Sequence, residues 1–278
     1  MSVVTRFAPS PTGRLHLGHA YAALVASDLA RTTGGQFLVR IEDIDQGRAR
    51  DEFVTAIEED LAWLGVGFPR PMRRQSEHFG DYAAALARLD LLGVLYPCTC
   101  TRADIAQSAA APQGPLGVVY PGTCRARPKA LQEDIRNGSH PFVLRLDVAE
   151  AMVHVPHPLT FTETSTAHGG RITTDPAQFG DIVIARKDFP ASYHLSVTLD
   201  DALQGVTLVT RGEDLLAATH IHRLLQALLD LPVPDYLHHR LVRDDAGRRL
   251  AKRDNAATLF ALREAGITPS QVRGMIGI

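Results

Sequence analysis

The sequence predicts an α/β protein in which a doubly wound parallel sheet is interrupted by an inserted α+β subdomain. Apolar extended segments alternate with amphipathic helical segments near both ends of the chain. Between them, residues 96–188 contain all the cysteines, several prolines and only short strand-like stretches. With 278 residues and 45% hydrophobic content, the chain can bury a sizeable core in one large or two modest domains.

The beginning of the chain carries the clearest alternation. An extended apolar run at residues 3–8 ends at Pro9 and Pro11, and an Ala- and Leu-rich helical pattern begins at His16. The segments that continue the alternation are a strand at 36–41 and helices at 50–64 and 82–92. This β-α-β-α order indicates a parallel sheet of the Rossmann type.

The remaining elements complete the predicted domain organisation. Strands are predicted at 142–147, 181–186, 193–199, 205–210 and 237–242, helices at 218–229 and 256–264, and a loop at 108–115. The predicted parts are the first half of a Rossmann-type domain at 1–92, the inserted subdomain at 93–189, the second half at 190–255, and a short C-terminal helical remnant at 256–278. The last helix is expected to stand alone, followed by a short tail.

Composition excludes several classes of protein. No stretch approaches the roughly 20 apolar residues that span a bilayer, and residues 1–6 lack the apolar core of a signal peptide. We therefore expect a cytoplasmic protein without a membrane partner. The net charge of −2 and the sequence pI near 6.6 lack the basic signature of a nucleic-acid-binding domain. Any RNA partner would have to be held weakly or by a local basic patch.

The first motif, residues 9–19, joins the first predicted strand to the first predicted helix. A helix N-terminus has free N–H groups and a positive dipole end, both of which favour phosphate. His16 and His19 lie on one face of the first turn, and Gly18 would let a flat ring approach the backbone. The motif indicates a nucleotide site, although His-x-Gly-His alone would also suit a helix with two ordinary histidines.

The second motif, residues 247–254, is a Gly-led basic loop between a predicted strand and a predicted helix. In that setting Lys252 would neutralise charge on the β- and γ-phosphates of a nucleotide as pyrophosphate leaves. A run of charges in a loop is also commonly a solvated surface. The loop alone does not decide between these interpretations.

The cysteines form the third group. Cys98, Cys100 and Cys124 are too few for a disulfide framework, and their clustering favours a metal site. Zinc prefers four tetrahedral ligands, so three cysteines leave one position, which Tyr120 could fill across the Pro-Gly turn before Cys124. Buried free thiols are the alternative.

The histidines are weaker candidates for that fourth ligand. We rank His154, His157 and His168 below Tyr120, because none of these histidines stands at the spacing of a zinc-binding motif. The neighbours His238 and His239 lie in a strand-like stretch and should point to opposite faces. We interpret them as structural or close to the nucleotide, not as a metal pair.

Together, the motifs resemble a known family. Residues 16–19, His-Leu-Gly-His, match the HIGH signature of class I aminoacyl-tRNA synthetases, and residues 249–253 are similar to their KMSKS signature. The runs 6–13 and 40–45 resemble glutamyl-tRNA synthetases in particular, as does 193–214 at its tyrosine, acidic and arginine positions.

The resemblance implies roles for individual residues. Catalytic roles fall to His16, His19 and Lys252. ATP contacts fall to Pro9, Thr12, His16, Gly18, His19, Arg249, Leu250 and Lys252. Glutamate contacts fall to Arg6, Ala8, Ser10, Glu42, Tyr193 and Arg211. The KMSKS-like run has Ala251 where the family usually carries serine, so one hydroxyl donor is lost while the lysine remains.

The chemistry of glutamate fits the residue types that the resemblance selects. The side-chain carboxylate needs a planar pair of donors, which guanidinium supplies better than lysine, so Arg6 and Arg211 are the candidates, with the Tyr193 hydroxyl beside them. Glu42 would hold the substrate ammonium. Each residue also has a structural alternative, such as an internal salt bridge between Arg6 and Glu42.

The chain is short for a glutamyl-tRNA synthetase, because only residues 255–278 follow the KMSKS-like loop. With Tyr120 among the cysteines, it resembles the truncated glutamyl-queuosine tRNA(Asp) synthetases. That resemblance implies a ligase that activates L-glutamate with ATP and Mg²⁺ without tRNA, then transfers it to queuosine in the anticodon loop of tRNA(Asp). It also implies one zinc ion at Cys98, Cys100, Tyr120 and Cys124, and we expect a monomer.

Three alternative functions stay open. The chain could charge the 3′ end of tRNA(Glu) as a truncated glutamyl-tRNA synthetase. It could be a non-catalytic paralogue that binds an amino acid or RNA. It could also activate glutamine, although two arginines favour a charged substrate.

Overall fold

The computed structural model describes residues 2–107, 113–115, 117–186, 191–243 and 258–278. Within them, the strands β1 to β12 are Val4–Phe7, Gln36–Ile41, Arg73–Arg74, Leu95–Cys98, Gln113–Gly114, Gly117–Val118, Val143–Leu146, Thr160–Glu163, Gly170–Thr173, Val183–Arg186, Leu208–Gly212 and Asp235–His239. The helices α1 to α10 are Leu17–Thr32, Asp51–Trp63, Phe79–Leu91, Arg102–Gln107, Lys129–Asn137, Val148–Val153, Tyr193–Leu203, Ala218–Leu228, Leu259–Glu264 and Pro269–Ile276. None of these helices combines the length and apolarity needed to cross a membrane.

A parallel sheet lies at the centre of the fold and confirms the predicted α/β class. Strands β1, β2 and β3 pair in parallel, as do β11, β12 and β8, while β9 adds to β8 in the antiparallel direction. The two groups meet where the Thr207 N–H donates to the Val4 carbonyl (3.0 Å). Farther along the same strands, the Arg6 guanidinium donates to the Thr210 carbonyl (3.0 Å), so β1 and β11 run in the same direction.

Small side chains let α1 pack closely on this sheet. Ala20, Ala23, Ala26 and Ala30 recur at helical spacing, and all of them are buried. The Thr5 hydroxyl on β1 donates to the Ala26 carbonyl (2.8 Å). The helix predicted from the Ala- and Leu-rich pattern is confirmed, and its N-terminus directly follows the loop that leaves β1.

The described part of the inserted segment contributes strands to three sheets, one of which is the antiparallel pair of β5 and β6. The strands predicted at 142–147 and 181–186 are present as β7 and β10, which form an antiparallel sheet with β4 in the order β10-β7-β4. Strand β8 instead pairs with β12 of the central sheet, through Glu163 and Tyr236. The insertion therefore touches the sheet that carries Arg211, at the end of β11.

The strand predicted at 193–199 is wrong, because this segment is helix α7. Ser192 is its N-cap, with the hydroxyl accepting from the Leu195 N–H (3.4 Å). Every residue from 195 to 201 is buried, and the apolar Leu195, Val197 and Leu199 alternate with polar residues in the sequence. Such alternation is the pattern of a half-buried strand, so periodicity alone favours a strand here.

The C-terminal segment also differs from its prediction, because a second helix follows the first. Thr268 and Gln271 form a capping box at the start of α10. Val272 and Ile276 are buried in the core that includes α1, and Arg273 pairs with Asp28 of α1 (2.7 Å). The expected lone helix with a tail is therefore wrong, since α10 packs against the first helix of the sheet.

Candidate active site

A cleft with a volume of about 420 Å³ opens at the C-terminal ends of β1 and β2. Open parallel sheets bind their ligands at this edge. Four residues predicted to contact substrate or ATP line the cleft together, namely Ser10, Thr12, Glu42 and Tyr193. Ala8 is half-buried directly after β1, and the Pro9 carbonyl accepts from the Glu42 N–H (3.0 Å), which fastens the end of β1 to that of β2.

Arg6 does not reach the cleft as an unpaired charge. Its guanidinium donates to both carboxylate oxygens of Asp201, from Nε at 2.9 Å and from the terminal nitrogen at 3.2 Å. Arg40 donates to the same Asp201 (2.8 Å) and lies 3.4 Å from Glu42. Burial raises the pKa of Glu42, and the neighbouring Arg40 only partly offsets this effect. The internal salt bridge of Arg6 is therefore with Asp201 and not with Glu42.

Arg211 is a buried cation whose hydrogen-bond partners within the described residues include no carboxylate. Its terminal nitrogens donate to Thr219 Oγ1 (2.6 Å), His222 Nδ1 (3.0 Å) and the Tyr193 hydroxyl (3.5 Å), and its Nε donates to His238 Nε2 (3.1 Å). The residue is only 6% exposed. A buried, uncompensated charge is costly, so this geometry favours an anionic ligand beside Tyr193 and the cleft.

Three histidines around Arg211 are held neutral. Burial, reinforced by the charge of Arg211, lowers the pKa of His194 to about 4 and that of His238 to about 4. The same causes lower the pKa of His222 well below its ordinary value. His222 accepts from Arg211 at Nδ1, so its Nε2 proton points to His194 Nδ1 (3.1 Å). Because these rings are neutral, they add no positive charge to that of Arg211.

We expect the fold to lose stability as the pH falls from about 6.5 to 4. Unfolded histidines bind protons near 6.5, whereas His194, His222 and His238 stay neutral in the fold to lower pH. The unfolded state then binds more protons, which lowers the free energy of unfolding by up to about 1.4 kcal/mol per pH unit and per group. Asp60, whose pKa burial raises to about 6, acts in the opposite direction, as does Glu42, whose pKa burial also raises.

Urea unfolding at pH 7 and pH 5 measures this effect. The free energy of unfolding should be lower at pH 5, and the difference should shrink when His194 is replaced by asparagine. Equal stability at both pH values would contradict the neutral histidine cluster.

The histidines of the first motif cap α1. His16 Nδ1 accepts from the Gly18 N–H (3.1 Å), and His19 Nδ1 accepts from the His16 N–H (3.2 Å). In their neutral forms both rings therefore carry the proton on Nε2. A Cβ atom at Gly18 would lie 3.0 Å from the His16 ring, so the ring that approaches the backbone here is that of His16. Contact of Gly18 with ATP stays a prediction.

The KMSKS-like loop lies outside the described residues, and with it the predicted roles of Arg249, Leu250 and Lys252. The chain that follows it is described, and it returns to the first motif. His16 and Thr258 form an antiparallel bridge, and the Leu259 N–H donates to the Leu15 carbonyl (2.9 Å). Thr258, the first described residue after position 243, therefore lies beside the start of α1.

The three cysteines and the tyrosine come together in the insertion. The Cys98, Cys100 and Cys124 sulfurs all lie within 4.8 Å of one another. The Tyr120 hydroxyl lies 3.4 Å from Cys98 Sγ and 3.5 Å from Cys100 Sγ. Sulfurs bound to one tetrahedral zinc at about 2.3 Å stand roughly 3.8 Å apart, so this group could hold a metal ion.

Local charge supports metal binding by this cluster. Burial raises the pKa of Cys124, but hydrogen bonds, above all with Tyr120, outweigh it and bring the pKa to about 7. Burial raises the pKa of Cys100 to about 11, so without a metal the thiols do not all ionise. The Arg145 guanidinium lies 3.8 Å above the Tyr120 ring, close enough to offset negative charge on the ligands.

Several functional residues could not be singled out from the sequence. His222 and Thr219 lie inside the apolar pattern of α8, and Glu163 lies in the insertion, 75 positions from His238. Asp201 is one of the acidic positions of the 193–214 run, but its two arginine partners come from β1 and β2. No spacing rule predicts such long-range contacts.

Comparison with known proteins agrees with this geometry. Residues 2–276 match the profile of the catalytic domain of class I tRNA synthetases for E and Q, that is, glutamate and glutamine. A Rhodobacter capsulatus protein named glutamyl-Q tRNA(Asp) synthetase is 51% identical and aligns over 99% of this chain and 100% of its own length. A glutamate–tRNA ligase from Aquifex aeolicus is 36% identical over 96% of this chain, which spans 55% of that protein.

Solved structures point the same way. A glutamate tRNA ligase from Elizabethkingia meningosepticum, determined in complex with its amino acid, has a TM-score of 0.74 and 26% identity to this chain. The similarity covers 91% of this chain but only 52% of that ligase, so this chain corresponds to about half of it.

Proposed function

The chain belongs to the class I tRNA synthetases for glutamate and glutamine, and from that premise we propose that it activates L-glutamate with ATP and transfers it to queuosine in tRNA(Asp). The family identifies the general chemistry, in which an amino acid, ATP and a tRNA are the substrates. The relative that aligns over its whole length carries the name glutamyl-Q tRNA(Asp) synthetase, which supports queuosine as the acceptor.

The absence of an acidic partner at Arg211 carries the assignment of glutamate. A substrate side-chain carboxylate beside Tyr193 would supply the anion that this buried cation lacks among the described residues. Glu42 lines the same cleft, and a substrate ammonium would favour its ionised form despite burial. Arg6, already paired with Asp201, contributes positive charge nearby and not a pair of unused donors.

The ATP half of the site is assigned to the first motif and the KMSKS-like loop. The Nε2 protons of His16 and His19, at the start of α1, provide donors suited to phosphate oxygens. Lys252 would stabilise the charge that develops on pyrophosphate as it leaves. Mg²⁺ bound with ATP would neutralise part of the triphosphate charge.

Two transfers complete the reaction without a covalent enzyme intermediate. The α-carboxylate of glutamate attacks the α-phosphorus of ATP, the bond to the β-phosphate oxygen breaks, and pyrophosphate leaves. A hydroxyl of the queuosine cyclopentene ring then attacks the carbonyl carbon of the glutamyl-adenylate, forming an ester as AMP leaves with the bonding electrons and the hydroxyl proton passes to the departing phosphate or to water. The chain needs to position these groups and stabilise charge.

Zinc is the metal that we assign to the cysteine cluster, with Cys98, Cys100, Tyr120 and Cys124 as ligands. Three sulfurs and one oxygen suit a closed structural zinc site. Bound zinc would hold the insertion in shape, so residues 93–189 could present one RNA-facing surface.

Replacing Tyr120 by phenylalanine should weaken zinc binding by about tenfold or more, because the oxygen ligand is lost. Zinc content and chelator competition measure the effect, with Tyr96→Phe as the control, since Tyr96 hydrogen-bonds to Asp181 and is not a proposed ligand. Equal zinc affinity in the Tyr120 variant and the wild type would remove Tyr120 from the ligand set.

Transfer of labelled glutamate to purified tRNAs tests the acceptor. Queuosine-bearing tRNA(Asp) should be labelled even after its 3′ terminal nucleotides are removed, whereas tRNA(Asp) without queuosine and tRNA(Glu) should not. Labelling of intact tRNA(Glu) alone would identify a truncated glutamyl-tRNA synthetase instead. No labelling and no glutamate-dependent exchange would favour a non-catalytic paralogue. Size-exclusion chromatography of the same preparation tests whether the protein is a monomer.

A further inference from the structure

Glu163 is a buried carboxylate from the insertion that reaches the sheet beneath the candidate glutamate site. It is 1% exposed and lies at the end of β8, where it pairs with Tyr236 of β12. Its Oε1 accepts from the His238 N–H (3.0 Å) and the Ser165 N–H (2.9 Å), and its Oε2 contacts His238 Nδ1. Burial alone would raise the pKa of Glu163, but these hydrogen bonds lower it, so the residue is ionised at neutral pH.

The contact with Glu163 decides which nitrogen of His238 carries the proton. An ionised carboxylate only accepts, so Nδ1 must be the donor of the neutral ring. His238 Nε2 is then an acceptor, and it lies 3.1 Å from Arg211 Nε and 3.3 Å from Thr219 Oγ1. The opposite tautomer would set an N–H against the Arg211 N–H and leave a charged donor unsatisfied.

We propose that Glu163 is a positioning residue for glutamate recognition, acting through the His238 tautomer to orient the Arg211 guanidinium toward the substrate carboxylate. Arg211 is held on one edge by His238 and on the other by Thr219 and His222. With those edges fixed, a terminal nitrogen of Arg211 stays 3.5 Å from the hydroxyl of Tyr193, which lines the cleft. This inference rests on the proposed glutamate site.

The arrangement also links two parts of the chain. Glu163 belongs to the segment between the halves of the central sheet, whereas Arg211 and His238 belong to β11 and β12. Placement of β8 by the insertion therefore bears on the orientation of the amino-acid-binding arginine. A change in the conformation of the insertion would therefore alter the position of Arg211 through the Glu163–His238 and His238–Arg211 hydrogen bonds.

Glu163→Gln tests the proposal with little change in shape. A glutamine would offer an N–H to His238 Nδ1 and favour the wrong tautomer. In ATP–pyrophosphate exchange the KM for glutamate should rise about 10- to 100-fold, the size of one charge-assisted hydrogen bond, while the KM for ATP stays within about threefold. Glu150→Gln is the matched control, since Glu150 forms the exposed pair with His154 (3.4 Å) in the same insertion.

A double-mutant cycle shows whether the effect passes through His238. In His238→Gln the amide oxygen can take the place of Nε2 as an acceptor without help from Glu163. On that background Glu163→Gln should change the KM for glutamate less than threefold, a clear loss of additivity. If Glu163→Gln changes the KM for glutamate equally on both backgrounds, Glu163 does not act through His238. A wild-type KM in Glu163→Gln alone would also overturn the proposal.

Nitrogen NMR identifies the protonated ring nitrogen of His238 without any measurement of catalysis. The wild type should show His238 protonated at Nδ1, and Glu163→Gln should shift the proton toward Nε2. A ring protonated at Nε2 in the wild type would overturn the inference while leaving the proposed function intact. A wild type that shows the expected tautomer but exchanges no glutamate would remove the proposed function, and the positioning role with it.

Discussion

Replacing Arg211 by alanine is expected to raise the KM for glutamate in ATP–pyrophosphate exchange by about 100-fold or more. Hydrogen bonds to charged groups contribute about 1.5 to 3 kcal/mol each, and a carboxylate held by two guanidinium nitrogens loses both. The KM for ATP should change little, because among the described residues Arg211 hydrogen-bonds to Thr219, His222, His238 and Tyr193 and to none in the first motif.

Two further variants make this result specific. Arg211→Lys keeps the charge but loses the planar pair of donors, so it should recover only part of the affinity. Arg70→Ala removes an exposed arginine that pairs with Glu58 at the surface and should leave both KM values unchanged. If Arg211→Ala binds glutamate as the wild type does, the substrate carboxylate does not meet this residue.

Replacing Lys252 by alanine is expected to lower kcat of the exchange reaction by about 100- to 1,000-fold. The developing charge on pyrophosphate would lose a preorganised cation, and such losses at comparable sites reach this size. Glutamate affinity should be nearly unchanged, which separates this variant from Arg211→Ala. Lys129→Ala on the surface of α5 is the matched control.

No contact of Lys252 itself supports this prediction, because residues 244–257 lie outside the described structure. What supports it is the return of the chain to the first motif, where Thr258 bridges His16 and Leu259 bonds to Leu15. Exchange at the wild-type rate in Lys252→Ala would remove the role assigned to this lysine.

Local patterns were enough to predict most of the fold. The Ala-rich repeat of α1, the breaks at Pro9 and Pro11, and the apolar strand at 36–41 each depend on neighbouring residues. Helix α7 differs from the predicted strand because Leu195, Val197 and Leu199 alternate with polar residues, as in a strand, while its buried polar residues contact distant strands. Asp201, for example, is held by Arg6 and Arg40 of β1 and β2.

In the candidate site, too, some residues could be predicted from local motifs and others could not. Ser10, Thr12, Glu42 and Tyr193 belong to motifs that sequence resemblance identifies, and they line one cleft. The partner of Arg6 could not be predicted, since Asp201 stands 195 positions away. The surroundings of Arg211 also combine residues from α8, β12 and β8, and only folding brings these together.

Exchange of labelled pyrophosphate into ATP, without tRNA and with glutamate or glutamine as substrate, tests the central assignment most directly. We expect glutamate-dependent exchange in the absence of any tRNA, with kcat/KM for glutamine at least about tenfold lower, because a neutral amide cannot compensate the charge of Arg211. Exchange that requires tRNA, or that proceeds equally well with glutamine, would contradict the assignment of this cleft to tRNA-independent glutamate activation.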